Sequence, residues 1–232
     1  MKKIITLLLV ATSIQSAIAQ INGILTYEDV YKEGKLQGTV VTTIYQSGQK
    51  NRIESINTAD VGGVPDTANA KRQFPLLFDF VQGQKTTLHT DQNIAIVQPI
   101  DTLATLKMMQ AMGASATIDT IGVEKVGSYN CTHFVLYIKN PQWKNPNSGR
   151  KDIWVSNDLG NCNILYTGPY LYYPLGDYIR KKLADAGATG VVVKWQVGPA
   201  VCILTNYQAM RLSSSLFSPP ASYTIMNAAT GF

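Results

Sequence analysis

Short apolar segments separated by turn residues run through most of the chain, which is the pattern of an antiparallel β-meander. Apolar and polar positions alternate within these segments, and Gly, Asn and Asp between them predict tight hairpins. The predicted strands cover residues 21–31, 39–45, 51–56, 76–81, 85–90, 94–98, 118–126, 131–139, 152–156, 191–197 and 201–212. The chain is therefore predicted to be mainly β.

Two segments follow the helical period instead of the strand period. The first, residues 103–112, begins after the capping residue Asp101 and ends at Gly113. In the second, residues 175–186, the apolar side chains that share one face are Leu175, Tyr178, Ile179, Leu183 and Ala186. Since no repeat or linker interrupts the pattern, residues 20–232 are predicted to form a single α+β domain.

The first 19 residues have the three parts of a secretory signal peptide. Two lysines precede an apolar core at residues 4–11, and the small residues Ala17 and Ala19 precede the expected cleavage before Gln20. We therefore predict that residues 1–19 are removed and that the rest is exported to a Gram-negative periplasm. Crossing a bilayer takes about 20 apolar residues, and no segment reaches that length, so no stable membrane span is expected.

Composition and charge narrow the classes of function. Hydrophobic residues make up 45% of the 232 residues, which is enough for a packed core and argues against disorder. Without the two lysines of the signal peptide, the net charge falls from +5 to +3. The basic residues are scattered rather than arranged in a stripe, so nucleic acid is not an expected partner.

Motifs that carry catalysis or bind metal do not occur in the sequence. Both histidines, His89 and His133, lie in predicted strands and outside any metal-ligand spacing. A nucleophile elbow, a P-loop and a dinucleotide fingerprint are also missing. The sequence therefore predicts a non-enzymatic protein with no metal site and no cofactor. A pair of catalytic carboxylates that meet only in the fold is the alternative left open.

Three cysteines in an exported chain allow one disulfide. If the strand ending at Lys139 pairs with the strand beginning at Lys151, and the two lysines lie opposite each other, the register brings Cys131 within reach of Cys162. We therefore predict a Cys131–Cys162 disulfide, with Cys202 as a buried thiol. Three reduced, buried thiols are the alternative.

Methionine and tyrosine are concentrated near the predicted helices. Met108, Met109 and Met112 lie in the first helix, and five of the twelve tyrosines lie between Tyr166 and Tyr178. One interpretation is an adaptable apolar pocket beneath two helices, because methionine fits irregular apolar shapes. The other is an ordinary core beneath helices that cover an open sheet.

Four stretches of the sequence resemble the exported domain of unknown function 4412 family, which belongs to the LolA-like group of lipoprotein-localisation folds. They read INGILTY at residues 21–27, SGQKNRIE at 47–54, VGSYNCTHF at 126–134 and DIWVSNDLG at 152–160. The sequence departs from the family pattern at Ser128, where the family has its glycine directly before the tyrosine.

The resemblance implies an incomplete β-barrel, a curved antiparallel sheet whose concave face is closed by the two helices. It also implies that this face holds an acyl chain or a lipoprotein. The helices would then line the site through Leu106, Met109, Met112, Tyr178, Ile179 and Leu183. The expected function is a non-enzymatic periplasmic carrier or chaperone for a lipid or a lipidated partner. The alternative is a structural or interaction protein of the cell envelope with a filled core.

Overall fold

The structure is a computed structural model that describes residues 21–33, 36–61, 71–100, 107, 115–139, 149–160, 162 and 175–228. This part of the chain is mainly β. Its strands are β1 (Asn22–Glu33), β2 (Leu36–Ser47), β3 (Lys50–Val61), β4 (Lys71–Arg72), β5 (Leu76–Asp79), β6 (Gln84–His89), β7 (Ile94–Pro99), β8 (Ser115–Val126), β9 (Tyr129–Lys139), β10 (Arg150–Ser156), β11 (Val191–Val197), β12 (Ala200–Ala209) and β13 (Thr224–Asn227).

All thirteen strands belong to one sheet. Their order is β13-β7-β6-β5-β3-β2-β1-β12-β11-β10-β9-β8, and the short β4 pairs with β3 beside this path. Every pairing is antiparallel except that of β13 with β7. The sheet ends at β13 and β8 and is not closed, which confirms the prediction of a mainly β, open sheet and is consistent with a curved one.

The hairpins form where turn residues predicted them. Gly48, between β2 and β3, and Gly198, between β11 and β12, have φ angles of 57° and 54°. Left-handed backbone of this kind carries no steric penalty for glycine, and it matches the twist of the two strands that the turn connects. The last predicted hairpin, around Gly198, is therefore confirmed.

One α-helix, α1 (Leu175–Asp185), is present among the described residues. It matches the prediction for residues 175–186, ends where Gly187 adopts a φ angle of 92°, and packs near β8. The other predicted helix, residues 103–112, lies outside the described residues except for Lys107, which is helical. The structure thus supports one of the two helices that were expected to close the sheet.

Burial alternates along β1, β2 and β3, as expected for strands with one face in the core. We call the buried side of these strands and of their neighbours the covered face, and the opposite side the outer face. The covered face carries Leu25, Tyr27, Asp29, Thr42, Ile44, Gln46, Asn51, Ile53 and Ser55. Its apolar residues share one core cluster with Ile179 and Leu183 of α1.

The C-terminal segment is more ordered than its sequence indicated. The predicted strands end at residue 212, but the residues beyond it form a 3₁₀ helix (Ser214–Phe217) and then β13. Tyr223 packs on a small second cluster on β5, β6 and β7. Parallel pairing over four residues leaves no local sequence pattern, which is why β13 was missed.

The register of β9 and β10 also differs from the prediction. Lys151 lies opposite Leu136 rather than Lys139. Gly149 explains this register, because a Cβ there would lie 2.0 Å from the backbone oxygen of Ile138. Only glycine allows the two backbones to approach so closely.

Candidate functional site

The centre of the covered face is an apolar layer that runs across three strands. Leu25, Ile44 and Ile53 lie opposite one another on β1, β2 and β3, and each is at most 1% exposed. Ile179 and Leu183 of α1 belong to the same cluster and are 5% and 0% exposed. The centre of the covered face is therefore a layer of branched aliphatic side chains that belongs to the same core as the apolar residues of α1.

A pair of amide side chains lies on the next rung of the β2–β3 hairpin. Gln46 and Asn51 are opposite each other, and both are fully buried. The Cys162 thiol donates a hydrogen bond to Oε1 of Gln46 at 3.1 Å. Within the described part of the chain, neither Nδ2 nor Oδ1 of Asn51 has a hydrogen-bond partner. Asn51 therefore offers one donor group and one acceptor, side by side, to a polar group placed against this end of the apolar layer.

A cluster of buried polar groups lies farther along the covered face. Cys202 of β12 is opposite Asp29 on one side and opposite Trp195 on the other. The Lys151 ammonium lies 4.2 Å from the centroid of the Trp195 ring. All four side chains are at most 6% exposed. This end of the face is thus charged, whereas its centre is apolar.

The surroundings of this cluster change its acid–base behaviour. Burial lowers the pKa of Lys151 to about 8, although the nearby Asp29 carboxylate acts in the opposite direction. Burial also raises the pKa of the Cys202 thiol, and the Asp29 charge adds to that effect. A neutral thiol and a lysine that loses its proton more easily are both consequences of the low local polarity.

A separate group of side chains lies on the outer face of β8, β9 and β10. The His133 and Trp154 rings stack with centroids 4.3 Å apart. Nε2 of His133 is 3.0 Å from Oδ1 of Asp152, and Nδ1 is 3.2 Å from Oε1 of Glu124. Trp154 Nε1 donates to the same Glu124 oxygen. Each imidazole nitrogen of His133 thus faces a carboxylate oxygen, which can only accept a hydrogen bond.

The remaining partner of this outer group is Arg150, which donates two hydrogen bonds to Asp152 at 3.1 Å. Burial alone would raise the pKa of Asp152, but the hydrogen bonds from Arg150 and His133 outweigh it and lower that pKa. His133 is therefore part of a network with the carboxylates of Asp152 and Glu124 and the ring of Trp154. His89, the other histidine, lies on β6 against the ring of Phe74 at 4.3 Å.

The structure describes two of the six predicted pocket residues completely. It brings Ile179 and Leu183 together in the core. Tyr178 lies within α1, but its side chain is outside the described part of the chain. Leu106, Met109 and Met112 lie outside the described residues.

The predicted Cys131–Cys162 disulfide is not formed in this structure, where the three cysteines are buried thiols. The Cys131 thiol donates to the backbone oxygen of Tyr129, and the Cys162 thiol donates to Gln46. The two sulfur atoms thus face different partners, and the register on which the bridge was predicted is shifted. Burial raises the pKa of Cys131 to about 11, which keeps its thiol protonated.

Three polar residues of the covered face, Asn51, Asp29 and Lys151, were not among the predicted site residues. Their signal in the sequence is a polar side chain at a position where strand alternation requires burial. Among the described residues, no group of three or more His, Cys, Asp or Glu side chains is arranged to hold a metal ion. No helix in that part of the chain is long and apolar enough to cross a membrane.

Comparison with known proteins gives one family match. Residues 23–223 match a family model that is described as Domain of unknown function (DUF4412). No curated protein matches the chain. The match covers every strand from β2 to β12 and most of β1.

Proposed function

The chain belongs to the DUF4412 family, and we propose that it is an exported, non-enzymatic carrier that holds a lipid or a lipidated partner on the covered face of its sheet. Residues 1–19 direct export to the periplasm in this proposal. Binding requires no chemical step, only an apolar surface that α1 can cover and uncover. Ile179 and Leu183 are the helix residues that contact the acyl chain.

The observation that carries the proposal is the buried, unsatisfied amide of Asn51 beside the apolar layer. A filled core rarely retains such a group, because leaving it without hydrogen bonds costs about 1–3 kcal/mol. A carboxylate or ester oxygen accepts a hydrogen bond from the asparagine NH₂ group, and an amide N–H donates one to the asparagine oxygen. The aliphatic layer therefore suits an acyl chain, and Asn51 at its end suits the polar head of that chain.

The apolar layer supplies most of the binding free energy in this proposal. Each methylene group transferred from water into such surroundings contributes about 0.8 kcal/mol. Leu25, Ile44 and Ile53 lie side by side across three strands, so a chain of several methylene groups can lie along them.

A second candidate is a structural or interaction protein of the envelope with a filled core. The near-complete burial of Ile179 and Leu183, at 5% and 0%, favours it, because these side chains are already enclosed in the core without a ligand. The two candidates differ in what Asn51 does. In a filled core it only costs stability, and in a carrier it binds the ligand.

The experiment uses the variant Asn51→Leu, with Thr43→Leu on the outer face of the same hairpin as matched control. Fluorescent fatty-acid binding is measured at micromolar concentration on folded protein, together with urea unfolding. The carrier predicts that wild type and Thr43→Leu bind the probe and that Asn51→Leu binds it more weakly. Native mass spectrometry of protein taken from its own envelope should show co-purified lipid.

A filled core predicts a different result. Asn51→Leu is then more stable than the wild type, because an unsatisfied amide has been replaced by an apolar group of similar size. Absence of probe binding by the folded wild-type protein, combined with such a gain in stability, would contradict the carrier proposal.

A further inference from the structure

A cleft of about 750 Å³ lies on the outer face, where the β2–β3 hairpin meets the segment that follows β12. Its walls include the basic residues Lys50 and Arg211 and the hydroxyl-bearing Ser47, Ser213 and Ser214. Ser47 and Lys50 alternate with the buried Gln46 and Asn51, so they belong to the face opposite the proposed lipid site. The cleft is therefore separate from that site.

Backbone and side-chain hydrogen bonds hold the two walls of the cleft together. The Met210 amide donates to the backbone oxygen of Asn22 at 3.1 Å, which attaches the segment after β12 to the start of β1. Arg52 of β3 donates to the backbone oxygen of Leu216 at 3.3 Å. The hydroxyl of Ser213 accepts from the Ser215 amide and caps the 3₁₀ helix. The cleft is thus a fixed part of the fold rather than a gap between loose segments.

The charges around the cleft favour an anion. Lys50 forms an ion pair with Asp79 at 3.1 Å, so part of its charge is already compensated. Arg211 is exposed, and the described residues contain no ion-pair partner for it. Among the described residues that line the cleft, none carries a carboxylate. The net charge presented to a ligand is therefore positive.

We propose that this cleft binds a small organic phosphate ester. A guanidinium group presents planar donors that match two phosphate oxygens, and hydroxyl and ammonium groups supply further donors. The volume lies in the range of small-molecule sites, about 300–1,000 Å³, and exceeds what inorganic phosphate needs. The organic part of the ester then lies against Leu212 and Phe217, which form the apolar wall.

Isothermal titration of the full mature chain with glycerol 1-phosphate tests the proposal. Arg211→Gln should weaken binding about tenfold, the effect of losing one charge-assisted contact. Arg211→Lys, which keeps the charge, should recover part of the affinity. Lys125→Gln is the matched control, because it removes an exposed cation from β8, at the far end of the sheet.

The same phosphate chemistry occurs in a lipid headgroup and in a free metabolite, and vesicles distinguish the two sources. Flotation with phosphatidylglycerol vesicles, but not with phosphatidylcholine vesicles, that is lost in Arg211→Gln identifies a headgroup. Binding of the soluble ester without flotation identifies a metabolite. Failure of the wild type to bind either form at millimolar phosphate, or equal binding by Arg211→Gln and Lys125→Gln, overturns the proposal. Fatty-acid binding on the covered face is measured separately and is independent of these results.

Discussion

Strands β10 and β11 carry the same contact, a lysine ammonium over a tryptophan ring, on both faces of the sheet. On the covered face Lys151 lies 4.2 Å from the centroid of the Trp195 ring. On the outer face Lys194 lies 4.3 Å from that of Trp154. The distances agree, but Lys151 is 6% exposed and Lys194 is only half-buried. Access to water, rather than the geometry of the contact, therefore decides what each lysine contributes.

The carboxylates near the two lysines show the same contrast. Asp29 is buried beside Lys151 and Cys202, where a charge that loses its counterpart is not hydrated. Asp152 lies on the outer face between His133 and Arg150, and the Arg150 side chain is 57% exposed to solvent. We therefore expect the covered face to be more sensitive than the outer face to the loss of one charge.

The largest expected effect is that of Asp29→Ala. It leaves the Lys151 ammonium buried without the carboxylate that stabilises it, which costs about 4 kcal/mol. Asp152→Ala, the matched change on the outer face, should cost about 1 kcal/mol, because the charged Arg150 that it leaves behind is hydrated. Urea unfolding at neutral pH measures both. Equal losses for the two variants would show that burial does not distinguish the faces.

The next largest expected effect is the change of stability with pH that Lys151 causes. The pKa of Lys151 is about 8 in the folded protein and 10.5 without burial, so the unfolded chain binds more protons between these values. Stability therefore rises with pH across that window. The stability of the wild type relative to Lys151→Met should increase by about 3 kcal/mol from pH 8 to pH 10.5.

Lys194→Met is the matched control for this measurement, because it removes a lysine from the same strand pair on the solvent side. Urea unfolding of the wild type, Lys151→Met and Lys194→Met at several pH values gives the stability of each variant relative to the wild type. A wild-type stability that stays constant relative to Lys151→Met over the whole window would contradict the effect of burial on this lysine.

The smallest expected effect is that of Glu124→Gln on the outer face. The change removes one carboxylate from His133 but leaves an oxygen to accept from Trp154, so the loss should be about 1 kcal/mol. Salt screens exposed charges, so this loss should shrink as sodium chloride is added. The loss of stability caused by Asp29→Ala should not shrink with salt, because Asp29 is buried. Thermal unfolding of Glu124→Gln and Asp29→Ala is measured in low and high salt. An identical salt dependence of the two variants would mean that the faces are equally hydrated.

Features with a local cause could be predicted from the sequence. The turn at Gly198 and the helix that carries Ile179 and Leu183 each depend on neighbouring residues, and both are present. The open, mainly antiparallel sheet follows from many such hairpins. Strand boundaries shifted by a few residues, since the alternation continues beyond the most apolar positions.

Features that depend on distant pairing could not be predicted. Asp29, Lys151 and Cys202 meet because β1, β10, β11 and β12 lie side by side, and no local pattern gives that order. The register of β9 and β10 follows from Gly149, a residue that the prolines at positions 141 and 146 make look like part of a turn. Asn51 is one polar residue in an alternating strand, and its missing partners are visible only in three dimensions.

The position of β1 in the middle of the sheet has a consequence for the synthesis of the chain. One neighbour of β1 is β2, which follows at once, but the other is β12, with Gly23 opposite Ala209. A chain that emerges from its N-terminus can form the early hairpins, yet one edge of β1 stays open until nearly the whole sequence has emerged. Open edges pair with other chains, and pairing over such long separations is slow. A message truncated before the codon of Ala200 is therefore expected to yield aggregates rather than a smaller folded protein.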